Sequence, residues 1–299
     1  MPYLFGPRQT IFMILFGFTD NSSMSTPFNT SQTLAFIGGG NMASAIIGGL
    51  IKQGMPAHLI LVVEPFDEAR QRLKSQFGVK VLPAADATMA EAGLVIWAVK
   101  PQAFKEAAQQ TRAFCGHALH LSVAAGIRSD SIANWLGTER VVRAMPNTPA
   151  LVGLGQTGLF ARAAVTDTDK AWVEHVVATT GALLWVKDEP LLDAVTALSG
   201  SGPAYVFFFI ESMVEAGVKM GLTAEQATQL AIGTFEGASH LAKTAGEPPS
   251  VLRERVTSKG GTTYAALTAM QNAQVGALFQ AALRAAQQRA HELGDEFGA

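Results

Sequence analysis

From residue 33 to about residue 186, short apolar runs alternate with polar stretches long enough to be helices. The runs predict strands at 34–37, 59–63, 79–82, 94–99, 118–123, 140–144, 158–162 and 183–186. Between them, helices are predicted from about Asn41, over 66–77, over 102–113 and over 167–179, the last with Asp167 as its cap. Alternation of this kind implies an α/β fold: a doubly wound (Rossmann-like) parallel sheet with helices on both faces. Beyond Asp188 the pattern turns almost wholly helical, over 189–198, 203–220, 224–245, 249–255, 262–271 and 275–293. Pro203 suits a first helical turn after a flexible SGSG at 199–202. The helix that follows carries YVFFFI, apolar on nearly every side, so it must be sandwiched, either inside the helical domain itself or, as is expected for so small an all-helical unit, by a partner subunit.

The chain thus divides into a dinucleotide-type domain over 33–187 and a helical domain over 188–299, with 1–32 standing apart. In that leading stretch Arg8 precedes an apolar run at 11–18, a faint likeness to a secretory signal. The run is too short to span a bilayer and no small-x-small site follows, so it reads as a disordered or mispredicted extension with Met24 as a plausible start. A net charge of −2 gives no broad attraction to nucleic acid or to an anionic membrane, and neither is an expected partner. The single cysteine, Cys115, excludes an internal disulfide framework and suits a reducing, cytoplasmic compartment. The histidines show no close ligand spacing, and no metal is expected.

Candidate chemistry begins at TLAFIGGGNMASAIIGGL, residues 33–50. Gly38, Gly40 and Ala43 fall at the spacing G-x-G-x-x-A between a strand and a helix. That spacing allows a tight turn, close approach of a pyrophosphate and close helix packing, while the helix from Asn41 aims free N–H groups at the phosphates. Glu64 ends the next strand, where an acid can hold a ribose hydroxyl. The segments after the fourth and fifth strands, 99–102 and 123–126, belong to the same edge of such a sheet. Lys100 there is either a source of positive charge for a ligand or a solvated surface lysine. The proline-pinned turn RAMPNTP at 143–149 reads as architecture, with Asn147 and Thr148 bonding their own main chain. In VTSKGGTT at 256–263, paired glycines before a helix form either a nest of N–H donors for a carboxylate or a well-capped helix start.

Taken together, FIGGGNMASAIIGGL (36–50), AVKPQ (98–102), VAAGI (123–127), RAMPNTPALVG (143–153), DAVTALSGSGPAY (193–205), EAGVKMGL (215–222) and TSKGGTTYAAL (257–267) resemble pyrroline-5-carboxylate reductase, the enzyme of the last step of proline biosynthesis. The likeness runs from 33 to about 293. It implies an NADPH- or NADH-dependent reductase of a cyclic imine, 1-pyrroline-5-carboxylate, working as a homodimer or a ring of dimers with interleaved helical domains. It implies a cofactor site of Ile37, Gly38, Gly39, Gly40, Asn41, Met42, Glu64, Ala98, Val99, Lys100, Pro101, Val123, Ala124 and Ala125. The implied substrate site is Glu189, Gly260, Gly261, Thr262 and Thr263, with Thr263 and Ser258 as catalytic groups, placed at the partner interface.

This chain departs from the family pattern at two places. Lys259 stands where the family usually has proline, making the turn more basic and less rigid. Glu64 stands where members that favour NADPH place a small polar residue; a carboxylate repels a 2′-phosphate and accepts from a free 2′-hydroxyl, so NADH is expected to be used well unless Arg70 or Arg72 folds back onto the phosphate. Two other readings compete. A β-hydroxyacid dehydrogenase needs a catalytic lysine, and Lys219 and Lys243 do not sit in that family's glycine-rich motif. A non-catalytic nucleotide-binding protein has no use for the second glycine turn, which is intact here.

Overall fold

The computed structural model describes residues 32–298, so the expected extension lies outside the described residues apart from Gln32. One sheet holds β1 (Thr33–Ile37), β2 (Ile60–Val63), β3 (Lys80–Leu82), β4 (Ala92–Trp97), β5 (Leu119–Ser122), β6 (Val141–Met145), β7 (Gly155–Ala161) and β8 (Gly181–Trp185). Their order is β3-β2-β1-β4-β5-β6-β7-β8. The winding reverses at β1, which pairs in parallel with β2 on one side and β4 on the other, and a crevice for ligands opens at such a reversal. β2 is buried along its whole length, which is why its sequence reads as an unbroken apolar run. Helices α1 (Asn41–Lys52), α2 (Asp67–Phe77), α3 (Pro101–Cys115), α4 (Ser129–Leu136) and α5 (Asp167–Ala178) cover the two faces. Because side chains alternate along a strand, Phe36 packs with Ile47, Ile96 and Val173, whereas Ala35 packs with Trp97, Phe104 and Ile132.

The structure corrects several expectations. β7 runs antiparallel to β6, with Val142 opposite Ala161 and Met145 opposite Gly158, so the sheet is not wholly parallel. The link between them holds only the 3₁₀ turn Thr148–Val152, and a parallel return needs a longer crossover. α4 was not expected at all. The cap of α5 is Thr166 rather than Asp167: the Thr166 hydroxyl accepts from the Asp169 N–H at 3.1 Å and the Asp169 carboxylate accepts from the Thr166 N–H at 3.0 Å.

In the helical part, α6 (Leu191–Val195) passes through a single π turn (Thr196–Gly200) into α7 (Gly202–Lys219), so the SGSG stretch is ordered helix rather than a flexible joint. The Ser201 N–H donates to the Thr196 carbonyl at 2.8 Å and the Tyr205 hydroxyl to that of Ala197 at 3.1 Å. There follow α8 (Ala224–Thr244), α9 (Pro249–Arg255), α10 (Thr262–Asn272) and α11 (Val275–Gly298). α11 continues past its expected end because Leu293 and Phe297 pack against Gly126, whose φ of +73° and lack of a Cβ let the helix approach the loop after β5.

α7 crosses α8 at Gly217, where a Cβ would lie 2.9 Å from that of Ala227. Tyr205 and Phe209 each meet Phe279 of α11 edge-on, with ring centres 5.7 Å apart. The other side of α7 is open. Phe207 and Phe208 are 60% and 63% exposed, with Leu230 and Ile232 of α8 also exposed, so the sandwiching that YVFFFI demands is not met within one chain.

Glu189, at the start of the helical part, ties the two parts together. Its Oε1 accepts from the Ser129 N–H at 2.7 Å and from Arg143 Nη1 at 3.0 Å, and its Oε2 accepts from the Ser129 hydroxyl at 2.5 Å. It thereby caps α4 and neutralises a guanidinium whose side chain is only 5% exposed. Glu189→Ala is expected to cost about 3 kcal/mol, since breaking a buried pair leaves a charge without its partner. Adding Arg143→Met should recover much of that loss, and urea unfolding of the four-variant cycle measures it. Additive losses would contradict the coupling.

His120 on β5 is also buried, and its Nδ1 accepts from Trp97 Nε1 at 3.1 Å, which puts the ring proton on Nε2. Burial is the main cause that lowers its pKa from 6.5 to about 4, with repulsion from Arg140 and His117 adding to it against a favourable backbone bond at Cys115. Between those values the unfolded chain takes up a proton that the folded chain refuses. Stability should therefore fall by about 3 kcal/mol as the pH drops through that window. His120→Gln keeps an acceptor for Trp97 and does not titrate, so its urea-unfolding profile should be flatter there; a profile parallel to the wild type would contradict this assignment.

Candidate active site

The carboxyl ends of β1, β2, β4 and β5 meet at one edge of the sheet, and every residue expected at the cofactor lies there. Gly38 is the point of closest approach: its φ is +93°, its N–H donates to the Val63 carbonyl at 2.8 Å, and a Cβ on it would sit 2.7 Å from the Ala98 carbonyl oxygen. At Gly39 a Cβ would fall 2.4 Å from the Leu73 side chain. Gly40 differs. It is the N-cap of α1, it is exposed, and a Cβ on it would meet nothing of the protein within 4 Å. Its bareness therefore clears space above the helix rather than relieving an internal contact. The first amides of α1, from Asn41 and Met42, face that space without intrahelical partners, and the first turn carries no acid. This cradle fits the pyrophosphate of a dinucleotide.

Glu64 closes one end of the cradle. It is 7% exposed; Oε2 accepts from the Gly39 N–H at 2.8 Å and Oε1 from the Phe66 N–H at 3.0 Å. Both arginines proposed as phosphate rescuers are bonded to the loop itself, although Arg72 is exposed. Arg70 donates to the carbonyls of Glu64 (2.9 Å) and Pro65 (2.6 Å) and to Asp67, while Arg72 donates to the Gly39 carbonyl at 3.1 Å. On the other side of β1, the Ala98 N–H donates to the Ile37 carbonyl at 2.8 Å, and Lys100 is the exposed N-cap of α3 with Pro101 as the first helical residue. The Val123 N–H donates to the Trp97 carbonyl at 3.1 Å, leaving Ala124 buried and Ala125 exposed at the rim.

The second glycine turn lies elsewhere. Gly260 has φ +75°, and a Cβ on Gly261 would be 2.5 Å from the Ser258 hydroxyl, so both positions need glycine for local reasons. The Gly261 N–H is committed to the Ser258 carbonyl at 3.0 Å, which corrects the idea that all amides of 260–263 are free; by helix geometry the donors without intrahelical partners begin at Thr262 and Thr263 of α10. α10 packs on α11, and Ser258, Gly260 and Thr262 are exposed with Thr263 half-buried. Glu189 is not beside this turn in the same chain; it lines a cleft of about 120 Å³ with Arg128, Arg143, Asp193 and His291. So one chain assembles the expected cofactor residues and leaves the expected substrate residues in two separate places.

Asn147 is the residue whose role the sequence reading missed. It does not bond its own turn: Nδ2 donates to the Ser199 carbonyl in the π turn at 3.0 Å, and Oδ1 accepts from the Gln156 N–H at 2.9 Å. It joins the turn after β6 to the start of α7. The π turn is thereby fixed from a distant segment of the chain. Lys219 and Lys243, the candidates for a dehydrogenase lysine, are both exposed near the ends of α7 and α8. Among the described residues no cluster of His, Cys, Asp or Glu is placed to hold a metal ion, and no helix is long and apolar enough to cross a membrane.

Residues 189–293 match a family model described as pyrroline-5-carboxylate reductase dimerisation, and residues 33–126 match one described as NADP oxidoreductase coenzyme F420-dependent. A pyrroline-5-carboxylate reductase of Pseudomonas aeruginosa is 43% identical over 277 residues, which cover 92% of this chain and 100% of that protein. Among solved structures, a pyrroline-5-carboxylate reductase from Coxiella burnetii aligns with a TM-score of 0.83 at 37% identity, over 88% of this chain and 98% of that one. The pyrroline carboxylate reductase of Plasmodium falciparum, solved with NADP bound, aligns with a TM-score of 0.79 at 27% identity, over 89% of this chain and 99% of that one. Identity at this level over nearly the whole length of both chains carries the conclusion: the chain belongs to the pyrroline-5-carboxylate reductase family.

Proposed function

We propose that the protein reduces 1-pyrroline-5-carboxylate to L-proline with NAD(P)H, and that its active site is completed by a second subunit. The observation that carries the reading is the pairing of an open glycine cradle on α1 with a second, exposed glycine turn before α10 in a chain of this family. The reduced nicotinamide, when bound, supplies the hydride that reaches the imine carbon of the ring. Gly38, Gly39 and Gly40 bring the backbone and the α1 amides up to the pyrophosphate, and Glu64 accepts from the adenosine ribose. Ala98 to Pro101 and Val123 to Ala125 form the far wall. The amides of Thr262 and Thr263 hold the substrate carboxylate, with Ser258 and Lys259 beside them. The Thr263 hydroxyl meets the ring nitrogen as the iminium loses its charge and becomes an amine. Orientation, rather than a strongly perturbed acid or base, supplies most of the rate.

The assembly is a homodimer or a ring of dimers. The open apolar face of α7 and α8 is the area the partner covers, and the family model matched over 189–293 describes dimerisation. A cytoplasmic location suits a chain whose one thiol, Cys115, is buried and free.

A spectrophotometric assay with NADH and NADPH side by side is expected to give proline with both. Catalytic efficiency with NADH should be at least equal to that with NADPH, and Glu64→Ser should move the ratio toward NADPH by about tenfold or more, the scale of one like-charge contact removed. A strong wild-type preference for NADPH would contradict the role given to Glu64, and no proline with either would overturn the function. Thr263→Ala should lower turnover by roughly tenfold or more through loss of one positioned donor. Unchanged steady-state kinetics would remove Thr263 from the chemistry.

A further inference from the structure

Phe66 occupies the N-cap position of α2, with φ −85° and ψ 123° and no side-chain cap bond. That position favours Ser, Thr, Asp or Asn, whose oxygen can accept from the first turn, and a phenyl ring offers no acceptor. Nor does the ring serve the core. It is 73% exposed and joins neither of the clusters that pack the two faces of the sheet. Folding therefore gives no reason for an aromatic here, whereas position gives one. Phe66 stands two residues beyond Glu64 at the carboxyl end of β2, on the ligand edge of the sheet.

Its backbone is held in register with the glycine cradle by a single carboxylate. Glu64 accepts from the Phe66 N–H through Oε1 and from the Gly39 N–H through Oε2, so ring and cradle are fixed to the same group. The nearby guanidinium groups are engaged with the loop: Arg70 donates to two backbone carbonyls and Asp67, and the exposed Arg72 to the Gly39 carbonyl. What this lip presents is the exposed, flat apolar face of Phe66, with the largely buried Glu64 carboxylate beside it at the end of the crevice. That pair matches a nucleoside with free ribose hydroxyls, and a planar base is the part that the ring would cover.

We propose that Phe66 is an adenine-stacking residue that strengthens binding of the adenosine half of the dinucleotide, next to the ribose held by Glu64. The inference rests on the dinucleotide reading above and extends it to a residue outside the glycine fingerprint. Stacking of a base on an exposed aromatic ring is worth about tenfold in affinity when the ring is removed.

The test uses isothermal titration of the full-length protein with ADP-ribose, which carries the adenosine and pyrophosphate but no nicotinamide and so supports no turnover. Wild-type protein should bind it, Phe66→Ala should bind about tenfold more weakly, and Phe66→Leu should resemble the alanine variant. Phe66→Trp should stay within about threefold of the wild type, because a larger flat face replaces the first. Melting temperatures should be alike, since the ring is exposed and the N–H bond to Glu64 survives in every variant. Equal affinity of Phe66→Ala and wild type would overturn the proposal, as would full rescue by leucine. Changed subunit assembly in Phe66→Ala with unaltered affinity would also overturn it, and would assign the ring to a subunit contact. Wild-type protein that binds neither ADP-ribose nor NADH would defeat the dinucleotide reading itself, a result distinct from loss of the Phe66 effect.

Discussion

The structure depends on one close approach. At Gly38 the backbone of β1 turns with a positive φ, its N–H donates to the Val63 carbonyl of β2, and it runs so close to the loop after β4 that a Cβ on it would lie 2.7 Å from the Ala98 carbonyl oxygen. One residue on, the Gly39 N–H is held by Glu64. Three strand ends are thus drawn together at a place with no room for a side chain, and only then does α1 start with its amides facing open space. The proposed binding mode follows from that geometry: an anion at the helix start, a hydroxyl-bearing sugar at the carboxylate, and a wall made by the loops after β4 and β5.

The same economy of backbone appears at the second turn, where Gly260 and Gly261 are needed for a left-handed residue and for contact with Ser258. This turn is far along the chain and leads into α10, which packs on α11, so on the proposed reading a single chain holds two half-sites. The open face of α7 and α8 supports the same proposal, because apolar rings of this size exposed to water call for a cover. A subunit interface that buries those rings and brings one chain's second turn to another chain's cradle satisfies both demands. Asn147 and Glu189 tie the helical part to the sheet domain, each through bonds to residues distant in sequence.

Much of this was legible in the residues. Strands buried on both faces announce themselves as unbroken apolar runs, and β1, β2, β4 and β5 were placed to within a few residues for that reason. The glycine spacing at 38–43 and the acid at 64 are legible because a local pattern marks the ends of β1 and β2. The antiparallel β7 was missed although the signal was present, since the short turn at 146–154 leaves no length for a parallel crossover. Thr166 with Asp169 was likewise a readable capping box, passed over for the neighbouring acid. Other features had no local signal. α4 is capped by Glu189 from 60 residues away, a bond that no window of sequence contains. The π turn at Thr196–Gly200 is held by Asn147 from another segment and looked like a flexible glycine-serine link. Phe66 carries no local signal, since one aromatic residue at a helix start gains meaning only from its exposure.

The central claim is that the two glycine turns meet across a subunit boundary. A crystal structure of the assembled protein with NADH and L-proline bound tests it most directly. The account expects the proline carboxylate on the amides of Thr262 and Thr263 of one subunit, with its ring against a nicotinamide whose pyrophosphate rests on Gly38 to Asn41 of the other. A carboxylate bound away from that turn, or both turns supplied by the same chain, would contradict it.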